Sequence, residues 1–358
     1  MDKKLYIPGP IYVAPDTLQA MTRPMIGHRM PEYAQLHKGV VDKLKCMLGT
    51  DDYVFLSTSS AFGVMEGAVR NLVQKRCACF ANGAFSDKWQ DVAVRCGKEA
   101  DQIKVDWGQP ITPELVDATL ASGNYDAMTL IHNETSTGVL SPLPEIAEVM
   151  RKYPEVSFIV DTVSSMSAMP LDVKALGMDV CIAGVQKAFG LPPGLAIFSV
   201  SPRAVDKAKT TPGRGYYFDF EEFAKNDVKH NTPSTPCIST IYALDYQLDK
   251  FFAEGLDNRY GRHRQMAEAT RAWVQKMGFR LFPEAGAESF TLTCARNDGR
   301  TDLSLLKKLA GARGYAIDDG YGKLKGQVFR IAHMGDFGMA DMEEIFTLLE
   351  ELLPQARS

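Results

Sequence analysis

The sequence has no apolar run long enough to span a membrane and no basic block, and these two absences remove whole classes of function. With a net charge of −4, neither nucleic acid nor an anionic membrane is an expected partner. Its seven cysteines (46, 77, 79, 96, 181, 237 and 294) form no CxxC pair, and several lie in apolar, strand-like runs. Such an odd, scattered set argues against a disulfide frame and a zinc site, so no metal is expected and the thiols read as those of a reduced, cytoplasmic protein. The stretch MDKKLYIPGPIYVAPDTL is interrupted by Pro8, Pro10 and Pro15 and builds no apolar core, so it is not expected to act as a signal peptide. Also missing are the lysine of a P-loop and the glycine spacing of a dinucleotide fingerprint, which disfavours NTP and NAD.

What remains is an ordinary globular composition, 45% hydrophobic and 23% charged over 358 residues, with length for two domains. Residues 1–15 read as an extended arm, because each proline removes a backbone donor. Residues 33–48 repeat apolar side chains at helical spacing (Leu36, Val40, Val41, Leu44, Met47). Short apolar runs at 53–56, 77–80, 103–105, 127–131, 157–160, 180–183 and 195–200 then alternate with helical patterns. That alternation predicts an α/β fold whose large domain, residues 16–245, holds a mainly parallel seven-stranded sheet covered on both faces. Residues 202–240 are less regular. Beyond them, long helical patterns (242–278, 302–313, 340–353) and strands at 279–282, 289–294 and 328–332 predict a small C-terminal α+β domain, residues 246–358.

The chemistry-bearing residues fall in the loops that follow the strands. Asp161 ends one apolar run, and Gln186-Lys187 follows another, so both side chains sit at the carboxyl edge of the sheet, where open α/β folds bind ligands. A carboxylate and a lysine in one crevice suit pyridoxal 5′-phosphate (PLP): the lysine holds the aldehyde and the carboxylate keeps the pyridine nitrogen protonated. A strand-end turn and a solvated lysine explain the same two residues. The small, hydroxyl-rich stretch Ser57–Gly63 precedes a helical pattern, and free N–H groups at such a helix start suit a phosphate. Phe85 in the loop 82–85 is placed either to lie against a planar ring or to pack in the core. The loop 132–138 offers hydroxyls at the same edge, or simply a turn and helix entry. His28 and Arg29 lie in a polar loop, where such a pair is more often ordinary surface than ligand.

Taken together, GHRMPEY (27–33), NETSTGVLSPL (133–143), the Asp161 stretch, GVQKAFGLPPGL (184–195), NTPSTP (231–236) and GKLKGQVFRIAHMGD (322–336) resemble the class V PLP-dependent aminotransferases, the alanine–glyoxylate, serine–pyruvate and phosphoserine group. The resemblance runs nearly end to end. It implies PLP-dependent transferase fold type I and a homodimer with active sites at the interface. It implies Lys187 as the cofactor-binding lysine, Asp161 as the pyridine-nitrogen carboxylate, and Ser60, Ala61, Phe62 and Gln186 around the phosphate. Phe85 matches the stacking aromatic, Thr135 the hydroxyl beside the ring oxygen, and Arg330 the clamp on the substrate carboxylate. Thr235 matches the threonine that reaches the neighbouring subunit's phosphate, with Asn231 and Thr232 as alternatives. Ala61 and Val185 depart from the glycine and serine that relatives carry there, which puts one phosphate hydrogen bond in doubt.

The activity so implied moves an amino group from alanine or serine to glyoxylate or pyruvate by ping-pong kinetics. In the phosphoserine branch His28-Arg29 holds a substrate phosphate, so a phosphoserine–2-oxoglutarate aminotransferase is the alternative. A cysteine desulfurase is a weaker fit, since Gln186 rather than histidine precedes Lys187 and the only cysteine beyond residue 240 is Cys294. A non-catalytic subunit gives no reason to keep Lys187, Asp161 and Arg330 together.

Overall fold

The computed structural model describes residues 3–357. Its central sheet has seven strands in the spatial order Tyr53–Ser57, Ala196–Val200, Val180–Gly184, Ser157–Asp161, Ala127–Ile131, Arg76–Ala81, Glu99–Lys104. Ala196–Val200 runs antiparallel to both its neighbours, and the other pairings are parallel. The four central strands, from Ala196–Val200 to Ala127–Ile131, are buried along their whole length, so their sequences are nearly continuous apolar runs rather than alternating ones.

Alternate residues of each strand feed two cores. Leu56, Phe80, Leu130, Val160 and Ala183 pack on one face beneath the helices Pro31–Leu48 and Ile238–Glu254. Phe55, Cys79, Ile131, Ile159 and Ile182 pack on the other, beneath Ala61–Leu72 and Asp87–Arg95. A smaller C-terminal layer holds the antiparallel strands Arg280–Leu281, Leu292–Arg296 and Val328–Ala332, covered by the helix Met339–Ala356. Within the arm, Lys4–Leu5 pairs in parallel with Tyr315–Ala316. No helix among the described residues is long and apolar enough to cross a membrane.

Four segments differ from the sequence expectation. The strand expected at 103–105 runs from Glu99 to Lys104, an edge strand whose first residues are mostly polar and incompletely buried. The irregular stretch 202–240 contains two helices, Pro202–Thr210 and Phe220–Asp227. The first buries only Ala204, Val205 and Ala208, so its apolar stripe is nearly invisible in sequence; Ser201, accepting from the Ala204 N–H, starts it. The pattern at 242–278 is two helices, because Gly255 at φ +84° breaks it. The strand expected from Ser289 starts at Leu292, since the Ser289 hydroxyl takes the N–H groups of Thr291 and Leu292.

Charged side chains close the amino end of the sheet. Asp126, just before the strand Ala127–Ile131, accepts the N–H groups of Gln74, Lys75 and Arg76 at 2.9, 3.0 and 2.9 Å and lies 3.1 Å from Lys207 Nζ. Burial would raise its pKa, but the Gln74 N–H and the Lys207 charge hold it below the usual carboxylate range. Asp126→Ala leaves these backbone donors without their acceptor and is expected to cost about 2–4 kcal/mol. The check is a lower denaturant midpoint with an unchanged slope.

Candidate active site

The parallel strands deliver Asp161 and Lys187 to one edge of the sheet, as the resemblance requires. Asp161 is the last residue of its strand, is 6% exposed, and accepts the Val163 N–H at 2.9 Å. Burial raises its pKa to about 7; the Val163 N–H and the Lys187 charge oppose that rise, and the Glu134 carboxylate adds to it. Lys187 is 9% exposed, and burial together with the Arg330 charge brings its pKa down to about 8. Asp161, Glu134 and Asp318 oppose that shift.

The arm reaches the same point. Lys187 Nζ donates to the Pro8 carbonyl, and a Cβ on Gly9 (φ +128°) would stand 2.8 Å from Lys187 Cε and Nζ, so this position requires glycine.

A cleft of about 150 Å³ opens beside these groups. Ser60, Ala61, Phe62, Phe85, Thr135, Asp161, Gln186 and Lys187 all line it, so every expected cofactor residue except Thr235 is gathered in one place. Ser60 stands at the start of the helix Ala61–Leu72 and makes no side-chain cap bond, which leaves first-turn N–H groups facing this end. Phe85 stacks on Tyr321, with centroids 5.0 Å apart and an interplanar angle of 10°. Thr135 shares a short hydrogen bond with Ser164, and its carbonyl accepts from Arg330 Nη1 at 2.8 Å. Arg330 is buried behind Thr135, and its Nε donates to Asp318 Oδ1 at 2.6 Å. Val185 turns into the apolar core under the sheet and offers the cleft no hydroxyl.

Thr235, His28 and Arg29 are not brought to the cleft of their own chain. Thr235 is exposed, and its segment is tied beside the loop after Tyr53–Ser57 by the Cys237 N–H on Thr58 Oγ1 at 2.9 Å. Of its alternatives, Thr232 is buried with its hydroxyl on the Ser234 carbonyl, and Asn231 accepts the Thr232 N–H. His28 and Arg29 sit in the loop before the helix Pro31–Leu48; Arg29 is exposed and has no carboxylate partner among the described residues, Glu32 included.

Sequence reasoning missed four contributors. Glu134, fully buried, accepts the Ser86 N–H at 2.8 Å and the Ser136 hydroxyl at 2.6 Å, and so fixes the loop that carries Phe85. Gly83 was the available signal, because a Cβ there would meet Glu134 Cγ at 2.3 Å. Asn133 is 1% exposed, donates to the Ser164 carbonyl and the Thr291 hydroxyl, and leaves its Oδ1 without a partner at the cleft wall. The Pro8 carbonyl and Asp318 complete the set, and neither carries a local sequence pattern.

Asp161 yields a pH prediction for protein freed of cofactor. Its pKa is raised on folding, so between the ordinary carboxylate value and about 7 the folded state binds a proton that the unfolded state lacks. Stability from this group is full at low pH and is lost as pH rises through that window. Asp161→Asn is therefore expected to gain stability relative to wild type from pH 4.5 to 7.5, measured as the difference in denaturation midpoints.

The Aminotransferase class-V family profile matches residues 17–320. An uncharacterized aminotransferase of Methanocaldococcus jannaschii is 36% identical over 99% of this chain and 93% of its own. The L-aspartate–glyoxylate aminotransferase of Paracoccus denitrificans is 31% identical over 92% and 86%, and the serine–glyoxylate aminotransferase of Methylorubrum extorquens 32% over 93% and 86%. Among solved structures, alanine–glyoxylate aminotransferase from Nostoc sp. superposes with a TM-score of 0.93 at 26% identity, covering 99% of this chain and 96% of that one.

Proposed function

This chain belongs to the class-V aminotransferase family and is a PLP-dependent transaminase, and from that premise we propose that it moves the amino group of alanine or serine to glyoxylate or pyruvate. The observation that carries the reading is Lys187 and Asp161 lining one cleft with the start of the helix Ala61–Leu72. The residues fit the cofactor. Among the described residues the one donor to the buried Asp161 carboxylate is the Val163 N–H, and a protonated ring nitrogen would supply the cation that offsets its desolvation. The first-turn N–H groups beside Ser60, Ala61 and Phe62, with Gln186, would hold the phosphate. Phe85 would cover the ring, and Thr135 would donate to the ring oxygen.

When bound, PLP supplies an electron sink that lets the amino group leave one carbon skeleton and enter another. Lys187 would hold the cofactor through Nζ, and its amine, when free, would carry the substrate's Cα proton. A lysine brought to about 8 exchanges protons near neutral pH far more readily than an ordinary one. Asp161 would keep the ring nitrogen protonated, and Arg330, behind Thr135, would offer its planar fork to the substrate's α-carboxylate. The desulfurase alternative lacks its nucleophile: Cys294 is buried in a strand, and burial pushes its thiol up to about 12.

The same reading makes the enzyme a cytoplasmic homodimer. Its support is that Met25, Met30, Tyr216 and Tyr217 are exposed apolar side chains around the loops bearing His28, Arg29 and Thr235. A second copy would bring Thr235, or Asn231 or Thr232, to its partner's phosphate.

Borohydride reduction of the holoenzyme is expected to fix the cofactor on Lys187, and Lys187→Ala to lose both the fixed adduct and turnover. Cofactor trapped on another lysine overturns the assignment. A panel of amino donors and oxo acids assayed on purified enzyme tests the substrate pair, with no transfer from alanine or serine as the contrary result.

Phosphoserine is the second reading, favoured by the unpaired, exposed Arg29. Under it, Arg29→Ala raises KM for phosphoserine by roughly tenfold or more while alanine is little affected, since a guanidinium–phosphate pair is charge-assisted and bidentate. Wild-type enzyme that does not turn over phosphoserine removes this alternative.

A further inference from the structure

The guanidinium of Arg330 is not free. Its Nε is held by Asp318 Oδ1 at 2.6 Å and its Nη1 by the Thr135 carbonyl at 2.8 Å, which leaves the Nη edge as its remaining donor surface. Asp318 is itself held in place. It pairs through the backbone with Arg330, whose N–H reaches the Asp318 carbonyl at 3.0 Å, and Oδ1 also accepts the Gly320 N–H at 2.8 Å. Gly320 lies at φ +93°, and a Cβ there would meet the Leu324 carbonyl oxygen at 2.4 Å, so this turn accepts only glycine and the carboxylate cannot drift. Among the described residues no donor reaches Asp318 Oδ2, and the side chain is 20% exposed. A negative oxygen with an open lone pair therefore stands directly beside the carboxylate clamp.

We propose that Asp318 is a specificity-determining residue, which admits substrates bearing one carboxylate to Arg330 and turns dicarboxylates away. The inference rests on Arg330 as the α-carboxylate clamp of the proposed transaminase. A carboxylate bound at the Nη edge meets a guanidinium already oriented by its Nε bond, which favours the end-on fork. In a four-carbon dicarboxylate the second carboxylate lies only two bonds beyond the α-carbon, so it is brought into the field of Asp318 in a partly buried site where screening is weak. A substrate hydroxyl, as in serine, meets an acceptor there instead. Two cations oppose the field of Asp318: Lys187, which already feels Asp318 together with Asp161 and Glu134, and Lys88, which has no acidic partner among the described residues. Lys88 is engaged by aromatic faces, with Nζ 5.2 Å from the Phe85 centroid and 3.3 Å from the Tyr321 hydroxyl, and it makes no contact with Arg330.

The test compares wild-type, Asp318→Asn and Arg330→Ala holoenzymes. Asparagine keeps an oxygen for the Gly320 N–H and removes the charge. Binding of propionate and of succinate is measured by calorimetry, and single-turnover amino transfer is followed from L-alanine and L-aspartate. Wild type is expected to bind propionate more tightly than succinate. In Asp318→Asn the succinate Kd is expected to fall roughly tenfold or more, as expected when a like-charge contact is removed, while KM for alanine rises because Arg330 is less well held. A merely structural residue would weaken both ligands together, so opposite movements identify the specificity role. The proposal is overturned if both affinities move the same way, if neither moves, if wild type prefers succinate, or if Arg330→Ala keeps its propionate affinity. Absence of amino transfer from every donor would count against the transaminase reading, whereas the binding comparison still decides for or against Asp318.

Discussion

A lysine and an aspartate buried within one cleft are the constraint on which the rest of this molecule depends. Neither charge is stable alone in a dry interior, and each is compensated by the other and by groups carried on distant parts of the chain. Burial is the main cause that brings the Lys187 amine down to about 8 and the Asp161 carboxyl up to about 7; Arg330 adds to the first shift while Asp161, Glu134 and Asp318 restrain it, and Lys187 restrains the second. Both groups are thus brought toward neutral pH chiefly by burial, and the surrounding charges set how far.

Holding such a cluster requires a rigid frame. The strands that end in Asp161 and Gly184 are buried on both faces and pair directly with each other, so the loops leaving them are anchored on the stiffest part of the protein. Around them the close approaches are made at glycine: Gly9 against Lys187, Gly83 against Glu134, Gly320 against the Leu324 carbonyl. In each case backbone takes the place of a side chain so that a charged group can sit at a defined distance. The C-terminal layer contributes through Arg330 and Asp318, which tie the Val328–Ala332 strand to the Thr135 loop of the large sheet.

Much of this was legible because buried parallel strands write themselves as unbroken apolar runs. The seven strand candidates match the seven strands of the sheet, and Asp161 and Lys187 stood out as polar residues just past such runs. The helix Pro202–Thr210 was not legible, since its buried face is made of alanine and a single valine. Glu134 was passed over because the loop it fixes, 82–86, lies about fifty residues away in sequence, and the Pro8 contact with Lys187 joins residues 179 positions apart. No periodicity encodes a pairing of that kind.

By itself the sequence determined the α/β alternation, the strands and the residue types at their carboxyl ends, because burial on both faces of a sheet is a local compositional demand. The family's motifs, local in the chain, also pointed to the residues expected around the cofactor. Only the tertiary structure decided which of these residues share a cleft, that Thr235, His28 and Arg29 stand outside it, and that Arg330 arrives already paired with Asp318. Those facts depend on distances between segments far apart in sequence, and such distances exist only once the chain has packed.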